Sequence, residues 1–327
     1  TGDTNGFIPT TNGGFNGCSN LDISANGAIY FGVQTNFSRM FQACSSLTNI
    51  TSLNASDFSS ASILSFMHHS NSSLNSDLNY NTTSALKSIN NMMQSMASFN
   101  SDVNFGVSGV TNAFAFSIAW PMHNRPISFN FTSALTNLNR SFESHNNMTQ
   151  TVSLGDTSSV TIFNTLFKDW NFDEDISDLD FTSCALATGM LDGVTLSPVN
   201  YDALLARIRE TAGNTGWSFS GGNSTYSSNT ISVTSIIRSG STATVTTGSS
   251  HGLSTNDEVY ISGADQSEYN VVAVITVTGA STFEYEVSGT PTTPATGTII
   301  CEIAQGGIDR AYLVENLSLT IIDGGPI

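Results

Sequence analysis

The sequence predicts an α/β repeat solenoid joined to a C-terminal all-β sandwich or barrel domain, and three observations predict it. Hydroxyl and apolar residues recur every 25 positions through much of the first two thirds of the chain. Each repeat reads as one strand plus one short helix. From about Ile231 the texture changes to closely spaced β-branched runs. A fixed period of this size marks a repeat array, whose units bury their apolar faces only by stacking.

The register is carried by Thr83, Ser108, Ser133, Ser158 and Ser183, and two positions later by Ala85, Val110, Leu135, Val160 and Ala185. Met67, Met92, Phe142 and Phe167 share it, with Ser117 as an interruption. A Ser or Thr ahead of a short apolar run suits a helix N-cap, its oxygen accepting free backbone N–H groups. The run Thr83–Met92 would then place Ala85, Ile89 and Met92 on one helical face. Before each cap, alternating stretches at 77–80, 102–105 and 127–129 read as strands. The organisation expected is an N-terminal cap or arm over 1–37, the solenoid over 38–195, and a capping helix and join over 196–229. A β domain over 230–305 and a C-terminal strand or tail over 306–327 complete it.

Asn200 reads as the cap of the closing helix, whose Tyr201, Leu204, Leu205 and Ile208 follow helical spacing. Arg207 and Arg209 sit near its C-terminus, where the dipole favours them, and Gly213 suits the C′ position. The β domain is read from Thr242–Thr247, Glu258–Ile261, Val271–Thr278, Phe283–Val287 and Gly297–Ile303, separated by turn-forming clusters.

Two resemblances add to this reading. Met40-Phe41-Gln42-Ala43-Cys44-Ser45-Ser46-Leu47, Ala97–Val103 and Phe172–Ile176 resemble BspA-type leucine-rich surface repeats. The resemblance covers about 38–195 and extends through Val199–Leu205 and Gly221–Ser227, which are similar to the endings of such arrays. Trp120-Pro121 and Arg125-Pro126 depart from it. It implies a leucine-rich-repeat-like solenoid, surface adhesion and protein contact, and no catalytic residues. Ala243–Thr247, His251-Gly252-Leu253, Val259–Ala264, Tyr269-Asn270, Phe283-Glu284-Tyr285 and Pro294–Gly297 resemble a small β module of tailed-phage virion proteins, over about 238–303. Asn256-Asp257 stands where that module usually has Gly.

Composition narrows the function classes. Hydrophobic residues make up 39% and charged residues only 11%, so the surface is hydrated mainly by hydroxyls and amides. The formal net charge of −17 leaves no clustered cations to displace counterions, which argues against a nucleic-acid partner. No apolar run reaches membrane-spanning length. The four cysteines, Cys18, Cys44, Cys184 and Cys301, lack the close pairs of zinc and redox sites and read as small buried hydrophobes, with a Cys18–Cys44 disulfide as the alternative.

Several residues look chemical. Gly248-Ser249-Ser250-His251-Gly252 matches the nucleophile-elbow pattern, but a strand rather than a helix is expected after it, so it reads as a turn. Asp173, Glu174, Asp175, Asp178 and Asp180 form the densest acidic cluster; Asp173, Asp175, Asp178 and Asp180 are the candidate ligands for calcium. The alternative is a solvated rim, and a glycosidase carboxylate pair is a remote third reading. His68-His69 lack a third metal ligand nearby, and Trp120, Trp170 and Trp217 read as packing before sugar platform. Ten glycosylation sequons run from Asn36 to Asn316.

The function expected is therefore that of a structural virion-surface protein of a tailed phage: a decoration, fibre or tail-associated subunit, not an enzyme and without cofactor. Its solenoid would bind like an adhesin and its β domain would dock. A bacterial cell-surface adhesin or surface-layer subunit is the alternative, and a carbohydrate-active enzyme the remote one. Partners would be other virion or surface proteins and a host protein or glycan, with the chain in multiple copies or as a homo-oligomer. The location expected is the virion surface or the extracellular space.

Overall fold

A computed structural model describes residues 14–23 and 27–327, so part of the expected N-terminal cap or arm lies outside the described residues. The chain is mostly β, and the predicted α/β solenoid of strand-plus-helix units is overturned. Only three α-helices are present among the described residues: α1 (Thr51–Asn54), α2 (Pro198–Thr211) and α3 (Gln305–Glu315). Strands β1 (Leu78–Tyr80), β2 (Val103–Phe105), β3 (Ile127–Phe131) and β4 (Val152–Gly155) lie in the first part, and β5 (Ser218–Ser220) follows α2.

The repeat unit is a coil made of turns. Parallel bridges link Asn36, Ile63, Ser88, Asn112, Asn137, Ile162 and Leu186 in succession, one per coil. The predicted helix is replaced by a backbone that bonds outward. In one coil the amides of Leu64, Phe66, His68 and Ser70 donate to Ser88, Asn90, Met92 and Gln94 of the next coil at 2.8–2.9 Å. The residues between them, Met67, His69 and Asn71, donate back three positions to Leu64, Phe66 and His68. An α-helix would spend every amide within itself. Here alternate amides stitch neighbouring coils together.

This geometry needs left-handed residues, and each coil supplies two, four positions apart. Arg39, Phe66, Asn91, Ala115, Arg140, Thr165 and Gly189 form one series; Ala43, Ser70, Ser95, Ala119, Ser144, Asp169 and Gly193 form the other, all with φ between +48° and +78°. A left-handed non-glycine residue interrupts any α-helix and persists only where its surroundings impose it. The inter-coil bonds do so here.

The strict 25-residue register is also corrected. Successive bridges are 24 or 25 residues apart beyond Ile63, so the register slips at two points. Val110, Leu135 and Val160 are fully buried, but Leu86 takes the place expected of Ala85, and Cys184 that of Ala185. Ala85 and Ala185 are exposed. Met67, Met92 and Phe116 share one inner position, which continues as Ser141 and Leu166, whereas Ser117 belongs with Phe142 and Phe167 in the neighbouring one. The Ser/Thr positions are not helix caps: Thr83 Oγ1 donates to Ser59 O of the preceding coil, 2.9 Å away.

Helix α2 closes the stack with Tyr201, Leu204, Leu205 and Ile208 buried. It begins earlier than predicted, with Ser197 as N-cap and Pro198 in the first turn, where a missing N–H costs nothing. Asn200 instead donates to Asp173.

Beyond Tyr226 come β6 (Thr230–Ser239), β7 (Thr242–Thr247), β8 (Glu258–Ala264), β9 (Val271–Val274), β10 (Thr276–Gly279), β11 (Thr282–Glu286) and β12 (Gly297–Glu302). They form one antiparallel sheet in the order β10-β11-β7-β6-β12-β8-β9. Its two end strands, β9 and β10, are separated along the chain by Ile275 alone. The sheet therefore curls into a nearly closed barrel, with its own core around Ile236, Val245, Val259, Ile261, Phe283 and Cys301. Curling brings the two edge strands together and so leaves less exposed edge than a flat open sheet would present.

The barrel is inserted within the end of the coil array. After it the chain returns through α3, and β13 (Thr320–Ile322) pairs in parallel with β5. Tyr226, before the barrel, bridges Pro326, after it. Arg209 of α2 fastens the junction, reaching Glu258 of β8 with both terminal nitrogens (2.6 and 2.7 Å) and Asp309 of α3 (2.8 Å). Glu302 accepts from the amides of Asn229, Ile303 and Ala304, tying the two chain crossings to the start of α3.

Candidate interaction surface

The residues that looked chemical are distributed by the coil geometry rather than gathered. Asp173 accepts from the Ser197 amide and from Asn200, and Asp175 from the Ser177 amide. Asp180 accepts from the amide and hydroxyl of Thr182 and pairs with Arg207 at 3.5 Å. Each carboxylate thus closes its own turn or joins neighbouring segments. Burial, with the nearby charge of Asp175 adding to it, raises the Asp178 carboxyl above its usual range. Among the described residues no three His, Cys, Asp or Glu side chains are grouped so as to hold a metal ion.

Ser250 lies in an exposed loop between β7 and β8, not at a strand-to-helix elbow. The neighbouring His251 is turned inward, with Nε2 3.0 Å from Gly279 O and Nδ1 accepting from the Leu253 amide. The four cysteines are free, and the Cys44 thiol donates to Phe15 O at 3.0 Å rather than bonding Cys18.

His68 and His69 point in opposite ways. His68 is fully buried, its Nε2 2.6 Å from the Tyr80 hydroxyl. His69 is half-buried and meets Ser70 Oγ at 2.8 Å. Trp120 and Trp170 are buried in one column of the stack, with His145 between them at ring distances of 5.1 and 4.9 Å. His123 lies edge-on to Trp120 and stacked on Phe99. His145 Nε2 bonds Ser117 O at 2.6 Å, whereas its Nδ1 and both ring nitrogens of His123 have no partner. Burial lowers the pKa of His68 and His145 to about 3 and of His123 to about 4. Sequence reasoning missed this inner histidine set. His123 and His145 give no local motif, and only the coil register reveals that they share a core with Trp120.

The feature that repeats on the outside is a row of hydroxyls. It passes through Thr35, Ser62, Thr111, Thr136 and Thr161, with Lys87 standing in place of a hydroxyl in the coil between Ser62 and Thr111. Ser62 Oγ donates to Thr35 O, Thr111 Oγ1 to Lys87 O, Thr136 Oγ1 to Thr111 O and Thr161 Oγ1 to Thr136 O, at 3.0–3.3 Å. Each bond fixes a side chain on the coil before it. The row is therefore ordered without a ligand, so binding there forfeits little side-chain freedom. Thr111, Thr136 and Thr161 are exposed, and each hydroxyl oxygen retains acceptor capacity.

Among the described residues no helix is long and apolar enough to cross a membrane. A family model described as "Mycoplasma protein of unknown function, DUF285" matches residues 15–119 and 113–200. The match takes in more than half of the chain, which therefore belongs to that family. No curated protein matches the sequence.

Proposed function

We propose, from the outer row of its coils and the resemblance to surface repeats, that the chain is a surface-displayed structural protein that binds through that row. The barrel, inserted at one end of the array and clamped by Arg209, serves as the docking module to a larger assembly. The observation that carries this reading is the ordered hydroxyl row, which runs through three consecutive coils at Thr111, Thr136 and Thr161. Repetition favours an extended partner, because weak contacts at equal spacing add up along it and across many copies. The assembly we favour is a tailed-phage particle, on the resemblance of residues 238–303 to a virion β module. A bacterial cell-surface adhesin is the second reading, favoured by a family description drawn from a cellular organism.

The test is the triple variant Thr111→Asp, Thr136→Asp, Thr161→Asp. These side chains are exposed, so folding should survive within about 1 kcal/mol. Attachment of the labelled protein to its host cells should fall at least tenfold. Unchanged attachment with an unchanged melt would remove the row from the binding surface.

A further inference from the structure

The barrel meets the end of the array along one face of its sheet. Strand pairing sets Glu302 of β12 opposite Tyr260 of β8 and Thr230 of β6, and Ile300 opposite Ser262. Residues two apart on a strand share a face. The alternate residues Val259, Ile261 and Cys301 fill the barrel core, so the first set points outward. Helix α3 lies over it, with Gly307, Arg310, Ala311 and Val314 at the spacing of one helical face. At Gly307 the two surfaces touch, since a Cβ there would come within 2.7 Å of Glu302 Cδ. Beyond it, the short side chains of Ala311 and Val314 leave a cleft of about 280 Å³, walled by Tyr226 and Pro326.

The charged groups on this cleft are fixed by the protein itself. Glu302, 6% exposed, accepts from the amides of Asn229, Ile303 and Ala304 and from the Ser228 hydroxyl. Arg310 is held by Asp323 through Nε at 2.8 Å, and its guanidinium stands 5.2 Å from the centre of the Tyr226 ring. Tyr260 donates to Glu315 at 3.3 Å. The hydroxyls of Tyr226, Thr230 and Ser262 also line the space, and each can both donate and accept. Apolar surface lies among them, with Ile300 37% exposed on the floor.

This mixture selects a ligand. A simple anion would meet Glu302 and Glu315, and a simple cation would meet Arg310, so each faces like charge. A wholly apolar ligand would strip water from the hydroxyls without replacing it. A neutral ring with an apolar face and a rim of hydroxyls satisfies both sets of groups. Its C–H face can lie on Tyr226 or Ile300 while its rim donates and accepts. Ligand clefts start at about 300 Å³, so this one takes a single small ring rather than a chain. We infer that the cleft between α3 and the barrel is a binding site for one neutral pyranose unit. It uses no residue of the hydroxyl row, so the site goes beyond the function proposed above and does not rest on it.

The test is titration of the full chain, followed by its backbone amide spectrum, with the methyl glycosides of glucose, galactose, mannose and N-acetylglucosamine. At least one should bind, at about 1 mM for a ligand this small, with shifts concentrated at Tyr226, Ser262, Ile300 and Val314. Thr230→Trp fills the cleft from an exposed position and should weaken that binding at least tenfold. Tyr226→Phe removes one hydroxyl and should weaken it about threefold; it decides the matter if the Trp variant does not fold. A disaccharide ending in the same ring should bind as well as the glycoside if the ring is the end of a glycan, and more weakly if it is a free sugar; either result keeps the site. Three outcomes would overturn the proposal: no binding by any of the four glycosides at about 50 mM, well above the expected constant; butylammonium or butyrate giving the same shifts with equal affinity; or binding that neither variant weakens.

Discussion

Lowering the pH from 7 to about 4.5 should strip several kcal/mol from the stability of the array, because three histidines are buried uncharged in its core. His68, His123 and His145 have pKa values lowered from 6.5 to about 3, 4 and 3, chiefly by burial. The folded state therefore binds fewer protons than the unfolded state once the pH falls below 6.5. Stability is complete above that value and declines toward the folded pKa values, by about 1.4 kcal/mol per pH unit for each histidine. Below 4.5 the lowered carboxylates Asp57, Asp156 and Asp173 begin to add their own losses, so the window from 6.5 to 4.5 reports the histidines most cleanly. Asp178, whose pKa is raised, works in the opposite direction. Urea midpoints across this range should fall steeply for the natural chain. They should flatten when His68→Met, His123→Phe and His145→Phe are combined, since Met93 and Phe99 occupy the places corresponding to His68 and His123 in neighbouring coils and aromatic rings flank His145 on both sides. A midpoint independent of pH would contradict the burial.

The second large effect separates two registers that differ by one residue. Val110→Asp places a charge where the side chain is 0% exposed and should cost about 3–5 kcal/mol. Leu86→Asp should cost as much, because Leu86 is equally buried. Ala85→Asp should change the melting temperature little. A strict 25-residue period would predict the reverse for the last two. Thermal melts of the three variants decide between them.

The histidines and the slipped register show how far the sequence could be read. The period was visible because Val110, Leu135 and Val160 keep step. The strands at 78–80, 103–105 and 127–131 were visible because they alternate. The helix was misread for a physical reason. Leu64, Met67, His68, Asn71 and Leu74 are buried at spacings of three, one, three and three, close to the helical pattern. A chain of tight turns imposes nearly the same spacing. What separates the two is the left-handed backbone at Phe66 and Ser70, which no residue preference announces. Only Gly189 and Gly193, in the last coil, write those positions into the sequence.

The outer row was illegible for a related reason, since its threonines become a surface only when the coils stack. The inserted barrel was legible as a change of texture at Ile231. Its return through α3 to pair β13 with β5 was not, because three-residue strands carry too little pattern to show a partner 102 residues away.

Binding through the repeated outer face, as proposed, makes attachment depend on the number of coils. Deleting residues 137–161 removes one complete coil and one place in the hydroxyl row. Attachment of this shortened chain to host cells is then compared with that of the natural chain and of Ser250→Ala and Asp175→Asn. The deletion should give a cooperative melt and weakened attachment, and both point variants should attach like the natural chain. Full attachment by the deletion variant, or loss of attachment in either point variant, would contradict binding through that face.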